Sequence, residues 1–332
     1  MVYSILFLVA GIYLLIKGAD LFVEGASKIA KFFKIPSLII GLTLVSIGTS
    51  LPELSVSVTA SLAGNNGMSF GNVVGSNIFN IFMVVGISAI FTPLVVSKSM
   101  RNFDLPILLG IYLVLALFGF GISPFIIERW EGILILVLFV VYLTFLVLRS
   151  ILENKNKSAE EKVEEVEEEN KRPMILNIGF IILGVILIIA GGELVVDGAS
   201  AIAKALCKLI GFTDESKLDL LIGLTVVAVG TSLPELVTSM VAAKKGENDI
   251  AIGNAVGSCL FNVLLILGVA STIVEMPLGP NTYIDIIVMF IAALLIFLFS
   301  FRKLRVNKIQ GLIMVILYVA YVAYTVTIAL AF

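Results

Sequence analysis

Glu53 and Glu235 each lie deep inside an apolar stretch of this 332-residue chain. An ionised carboxylate at mid-membrane costs roughly 2.5–3.5 kcal/mol even on the lenient insertion scale. Brought together, the two would also repel each other. Basic residues are almost absent from the same segments: Lys17 is the sole candidate, and Asp20 and Glu24 compete for it at helical spacing. The compensating charge must therefore come from outside the polypeptide, as metal ions or as protons.

The neighbours of the two glutamates are oxygen donors. Thr49 precedes Glu53 by one helical turn, as Thr231 precedes Glu235, so each hydroxyl shares a face with its carboxylate. Ser50 and Ser232 flank them. Pro52 and Pro234 lack an N–H and clash with the carbonyl one turn earlier, at Gly48 and Gly230. Each helix should kink or break there, which membrane depth tolerates only beside a protein-buried or watery cavity. Asn72, Ser76 and Asn80 recur at four-residue spacing on the next span, and Asn254, Ser258 and Asn262 on its counterpart. Carboxylates, hydroxyls, amide oxygens and released carbonyls are hard ligands that suit Ca²⁺ or Na⁺ and suit transition metals poorly. The competing structural use is helix packing. It is assigned to Gly71, Gly75, Gly253 and Gly257 and to the thiol of Cys259, and it stays open for Asn72 and Asn254. Asp20, Glu24, Glu193 and Asp197 lie towards span ends and read as interfacial.

These residues belong to one segment written twice. Residues 41–86 hold GLTLVSIGTSLPEL and GNVVGSNIFN; residues 223–268 hold GLTVVAVGTSLPEL and GNAVGSCLFN, 182 positions later without a gap. The identities fall on Gly, Thr, Ser, Pro, Glu and Asn while the apolar positions drift. Duplication kept for packing alone would preserve the hydrophobic pattern instead. The elements that must carry the motifs are membrane helices. The chain is 59% hydrophobic and 14% charged, its mean hydropathy is +1.12, and several apolar runs reach the ~20 residues that span a bilayer. Ten spans are predicted, at 2–26, 37–62, 70–93, 104–123, 130–150, 174–203, 218–243, 250–273, 281–301 and 308–331. The first lacks the basic region and cleavage site of a signal peptide.

The expected architecture is an all-α polytopic membrane protein: a first five-helix repeat over 1–150, an acidic cytoplasmic linker over 151–172 and a second repeat over 173–332. Five spans per copy is an odd number, so the second copy enters the membrane inverted. With both termini outside, seventeen basic residues fall in inner loops and four (Arg129, Lys204, Lys208, Lys217) in outer ones, the bias that orients membrane proteins. Lys244 and Lys245 stand where the first copy has Leu62 and Ala63, marking opposite compartments. The linker is acidic and low in complexity, a solvated connection too short for a folded sensor domain.

Composition excludes several classes. There is no histidine, and only two cysteines, Cys207 and Cys259. A Cys/His zinc site, a histidine proton relay and a disulfide framework are thereby ruled out. A net charge of −2 with no basic, aromatic-interleaved patch argues against nucleic acid. A serine hydrolase built on Ser50 or Ser232 would have no histidine base and no lysine nearby in sequence. A cation channel would suit an oxygen-lined centre, but an inverted repeat favours a transporter.

GTSLPE followed by GNxVGSN/C-x-FN, present twice, resembles the α-repeats of the sodium/calcium exchanger family within the cation/calcium antiporter superfamily. The resemblance implies a secondary antiporter, not an enzyme, exchanging Na⁺ for Ca²⁺ across the cell membrane by alternating access. It needs no cofactor, since the ions are substrates, and implies no partner beyond the ions and the lipid bilayer, with no nucleic acid and no obligatory protein. Carried over by motif, Glu53 and Glu235 are calcium ligands. Thr49 and Thr231 join them, with backbone carbonyls of Ser46 and Ala228. Ser50, Ser232, Ser76 and Ser258 complete flanking sodium sites, with Asn80 and Asn262 between the glutamates. An H⁺/Ca²⁺ antiporter is the nearest alternative, but proton-coupled relatives carry an acid where this chain has Gly75 and Gly257. Potassium-dependent relatives carry Asp at the position of Asn262.

Overall fold

In a bilayer, backbone N–H and C=O groups find no water and must close their bonds within helices. The computed structural model describes residues 2–155, 173–209, 228–279, 282–301 and 304–331, and there the long apolar runs are helical. The first copy holds α1 (Val2–Phe32), then α2 (Ser37–Thr49) and α3 (Leu51–Leu62), bent by 51° where they meet. It continues with α4 (Asn66–Phe91), α5 (Met100–Ile122) and α6 (Arg129–Lys155). The second holds α7 (Met174–Leu209), α8 (Ala228–Thr231), α9 (Leu233–Lys244), α10 (Asn248–Ile273), α11 (Thr282–Phe301) and α12 (Lys308–Ala331). Among the described residues eight helices are long and apolar enough to cross a membrane, or nine if the bent pair is one span. The start of the predicted span 218–243 and most of the linker lie outside the described residues.

Two helices begin one turn earlier than their apolar runs suggest, for the same reason. Asn65 accepts the Met68 N–H at 3.4 Å ahead of α4, and Ser97 accepts the Met100 N–H at 3.1 Å ahead of α5. Such side chains satisfy backbone donors that the first turn leaves without partners. The turns after α3 and α9 end on Gly64 (φ +76°) and Gly246 (φ +82°), a left-handed conformation that a Cβ disfavours. Short strands join loops of the two copies. β1 (Leu94–Val95) pairs antiparallel with β4 (Arg305–Val306), and β2 (Ile126–Ile127) with β3 (Met276–Pro277).

The most enclosed helices are α4 and α10, which carry the GNxVGS motifs. Every residue from Ile250 to Phe261 is buried. Helix α10 lies backbone-to-backbone against α2: a Cβ on Gly257 would sit 2.7 Å from the Leu42 Cα, and one on Gly253 would sit 2.9 Å from the Leu38 carbonyl oxygen. Packing is thus the role of those two glycines. The residues equivalent to their partners, opposite Gly71 and Gly75, lie outside the described residues. Helices α1 and α7 run antiparallel along a seven-residue stripe of small residues. A Cβ on Gly11 would meet the Gly191 carbonyl at 2.7 Å, one on Gly18 the Gly184 carbonyl at 2.8 Å, and one on Gly25 the Asn177 carbonyl at 2.7 Å.

The placement of charges departs from the sequence expectation in two ways. Asp20 bonds Lys245 at 2.8 Å and Glu24 bonds Lys28 at 3.5 Å, so competition for Lys17 does not describe them. Tertiary contact brings Lys245 closer than any residue on α1's own face. Arg149, predicted as a loop residue, is buried at the end of α6 and grips both oxygens of buried Asp104 at 2.8 and 2.9 Å. That pair ties α6 to α5 and engages an interior cation away from the glutamates.

Gly257→Ala would push a methyl group into the α2 backbone, which cannot turn aside. It should destabilise the protein by about 1–3 kcal/mol. Gly179→Ala, with no neighbour within 4 Å, should leave thermal unfolding in detergent unchanged. Equal melting curves for the two variants would contradict the close α2–α10 contact.

Candidate functional site

The site begins with two proline-driven breaks. Pro52 and Pro234 stand at the second position of α3 and α9, where a missing N–H is harmless to the helix that starts there but fatal to the one before. Ser50 (φ −88°, ψ 10°) and Ser232 (φ −95°, ψ 4°) leave helical geometry between the segments. The restart places Glu53 and Glu235 in the first turn of a new helix, whose unpaired N–H groups and dipole favour negative charge. Both glutamates are 0% exposed.

Their hydrogen bonds cross between the copies. Ser50 donates to Glu235 Oε1 at 2.7 Å, and Ser232 donates to Glu53 Oε1 at 3.0 Å. Each carboxylate is held by the serine that precedes the other one. Ser76 Oγ lies 3.0 Å from Ser232 Oγ, and Ser258 Oγ lies 3.5 Å from Glu235 Oε1. The second oxygens, Glu53 Oε2 and Glu235 Oε2, have no hydrogen-bond partner. Asn80 and Asn262, both fully buried, likewise leave their amide nitrogen and oxygen without one. An unsatisfied buried polar group is expensive, and these four side chains in equivalent positions present oxygen atoms that no protein group satisfies.

Thr49 and Ser46 are fully buried on the last turns of α2. The Ser46 carbonyl accepts the Ser50 N–H at 3.0 Å and lies 3.3 Å from the Thr49 hydroxyl. Thr231 ends α8 just ahead of the Ser232 break, and Ala228 lies in the same helix. Of the residues singled out from the sequence, the structure joins Ser50, Glu235 and Ser258 in one cluster of contacts and Ser232, Glu53 and Ser76 in another.

Sequence reasoning left Asn72 and Asn254 open, and both are engaged. Asn72 Nδ2 donates to the Glu53 carbonyl at 3.3 Å and to Ser57 Oγ at 2.9 Å. Asn254 Nδ2 donates to the Glu235 carbonyl at 3.2 Å and to Ser239 Oγ at 3.0 Å. Ser57 and Ser239 were not foreseen, although each stands one turn beyond its glutamate. Nor were the π-helical stretches Asn80–Val85 and Asn262–Leu267, which loosen α4 and α10 where the two central asparagines enter. Such bulges concentrate at functional sites. No residue type signals them; the only sequence trace is that both start on the same position of the repeat.

Chemically, the centre offers two carboxylates and a ring of neutral oxygens. Among the described residues no group of three or more His, Cys, Asp or Glu could hold a metal ion, so this is not an acid-rich cage. Two negative charges match one divalent cation or a pair of monovalent ones, bound through oxygen.

A model of the sodium/calcium exchanger protein family matches residues 3–148 and 176–327. The sodium/calcium exchanger MaX1 of Methanosarcina acetivorans is 32% identical over 348 residues, covering 96% of this chain and 97% of that protein. The putative antiporter CaxA of Alkalimonas amylolytica is 36% identical over 332 residues, 97% of this chain and 98% of that one. A solved structure of the sodium-calcium exchanger NCX_Mj, soaked with zero Na⁺ and Ca²⁺, superposes with a TM-score of 0.80 at 34% identity, covering 97% of this chain and 99% of that one.

Ser50→Ala and Ser232→Ala each strip a buried carboxylate of a donor. Each should lower stability in cation-free detergent by about 1.5–3 kcal/mol, the worth of a hydrogen bond to a charged group. Unchanged thermal unfolding of both variants would remove the crossed bonds from the account.

Proposed function

The chain belongs to the sodium/calcium exchanger family, and from that premise we propose that Glu53 and Glu235 form one cation site shared by its two halves. The protein is a multi-pass membrane antiporter that exchanges Na⁺ for Ca²⁺, its substrates, and we read it as a transporter without catalytic chemistry or resident cofactor. The observation that carries the site is the crossed pair Ser50–Glu235 and Ser232–Glu53, each leaving one carboxylate oxygen for an ion.

Thr49, Thr231 and the carbonyls of Ser46 and Ala228 join the glutamates around Ca²⁺. Ser50, Ser232, Ser76, Ser258, Asn80 and Asn262 extend the site for Na⁺. Because the ligands are shared, one Ca²⁺ or several Na⁺ satisfy the two carboxylates, but not both sets at once. Competition for the same oxygens couples the opposing fluxes.

Ten spans, in two inverted five-helix halves over 1–150 and 173–332 joined by the linker 151–172, with both termini outside, accord with several contacts. Helices α1 and α7, the first span of each half, run antiparallel. Strand pairs β1–β4 and β2–β3 join loops assigned to the same face. Lys245 meets Asp20, where the inner ends of α1 and α9 should lie together. The α1–α7 pair, apposed through small residues and carrying no proposed ligand, is the natural mobile body against the core of α2, α3, α4, α8, α9 and α10.

In proteoliposomes an outward sodium gradient should drive ⁴⁵Ca²⁺ accumulation, and it should persist when the pH gradient is collapsed. Accumulation that follows the pH gradient instead would place the protein among proton-coupled exchangers. Glu53→Gln and Glu235→Gln should each abolish uptake while the protein still inserts. Retained exchange in both variants would sink the site assignment.

A further inference from the structure

A hydroxyl that coordinates a cation must send its proton elsewhere, because it has one proton and two lone pairs. Thr49 has the Val45 carbonyl at 3.1 Å, the Ser46 carbonyl at 3.3 Å and Asn254 Oδ1 at 3.0 Å within reach, and it also lies beside the Glu235 carboxylate. The choice matters, because a proton directed to Ser46 occupies a carbonyl that the proposed site uses as a ligand. Asn254 comes from the other copy, and its amide can stand in only one orientation. The Glu235 carbonyl accepts and cannot donate, so Nδ2 must face it, at 3.2 Å, while the second N–H reaches Ser239 Oγ at 3.0 Å. The carbonyl end of the amide is thereby aimed at Thr49. Thr49 and Asn254 are both fully buried, so no bulk water competes for the proton. Asn72 has its amide committed in the same way, to the Glu53 carbonyl and Ser57.

We propose that Asn254 is a positioning residue for exchange: it draws the Thr49 proton away from the ion site, leaving the Thr49 oxygen and the Ser46 carbonyl free to bind cation. It also links the last turn of α2 to the backbone of Glu235, so a ligand in one half is oriented by the carboxylate segment of the other. This rests on the shared site proposed above and adds to it a residue that does not itself touch the ion.

The test is a double-mutant cycle in proteoliposomes. Initial rates of sodium-driven ⁴⁵Ca²⁺ uptake are measured against Ca²⁺ concentration for wild type, N254A, T49V and the double variant, with thermal unfolding of each. N254A should raise the half-saturating Ca²⁺ concentration about tenfold, the equivalent of one lost hydrogen bond, with the maximal rate little changed; its melting temperature should fall as the Glu235 carbonyl and Ser239 lose their donor, so uptake is measured well below it. In the double variant the half-saturating concentration should be no higher than in the worse single one, because Asn254 acts through Thr49. An unchanged half-saturating concentration in N254A, or effects that multiply in the double variant, would overturn the assignment. N254S, too short to reach Thr49, replaces N254A if the latter does not insert; loss of folding in both would make Asn254 structural and overturn it equally. Wild-type vesicles without sodium-driven uptake would sink the exchange function itself, a result distinct from any of these.

Discussion

Two fully buried carboxylates, Glu53 and Glu235, with no basic side chain bonded to them among the described residues, set the terms for everything around them. Left alone, such a pair would be strongly destabilising through lost hydration and mutual repulsion. The fold meets the difficulty locally with crossed serine hydrogen bonds and with helix N-termini, and leaves the net charge unmet. The buried Arg149 is engaged elsewhere, its Nη1 donating to both oxygens of Asp104 between α5 and α6. On the proposed site, such a protein would be most stable with cations at its centre, which is the thermodynamic starting point for a carrier.

The helix break follows from the same constraint. A continuous helix through Gly48–Leu54 would put the carboxylates mid-helix, with every backbone dipole already paired. Pro52 and Pro234 end one helix and start another, giving each glutamate the favourable end of a dipole. They also create the backbone irregularity that membrane depth permits only around an enclosed polar centre. Helices α4 and α10 then enclose that centre. Gly253 and Gly257 let α10 approach the α2 backbone closely enough to exclude lipid and to bring Asn254 against Thr49.

The polar half of this arrangement was legible in the sequence because its elements are local. A glutamate in an apolar run, a threonine one turn earlier, a proline between them and asparagines four residues apart are all statements about one helix. The identical segment elsewhere in the chain marked the same elements twice. What was not legible depends on where separate helices meet. Nothing in residues 49–53 says that Ser50 reaches Glu235 rather than its own neighbour Glu53. Arg149 looked like a loop residue because it lies at the end of its apolar run; only the approach of α5 makes it interior. The π-helical turns at Asn80 and Asn262 change hydrogen-bond register without any change of residue type, so periodicity passes over them. The early starts of α4 and α5 depended on caps, Asn65 and Ser97, that lie outside the apolar pattern altogether.

The crossed serines also bear on how a shared site can serve exchange. If Ser50 bonded Glu53 and Ser232 bonded Glu235, each half would carry a self-contained carboxylate, and an ion could leave one without disturbing the other. Because each carboxylate is oriented by the opposite half, the donor set belongs to the core of both halves and to neither half alone. A cation bound there then holds both halves together. On the proposed site, one Ca²⁺ or several Na⁺ would neutralise the pair alike. An empty centre, with its repulsion restored, resists the enclosed state through which the site would have to pass to change sides. On the proposed site, coupling then follows from electrostatics: the passage would be open to a loaded site of either kind and closed to a bare one. That is the requirement separating an exchanger from a leak.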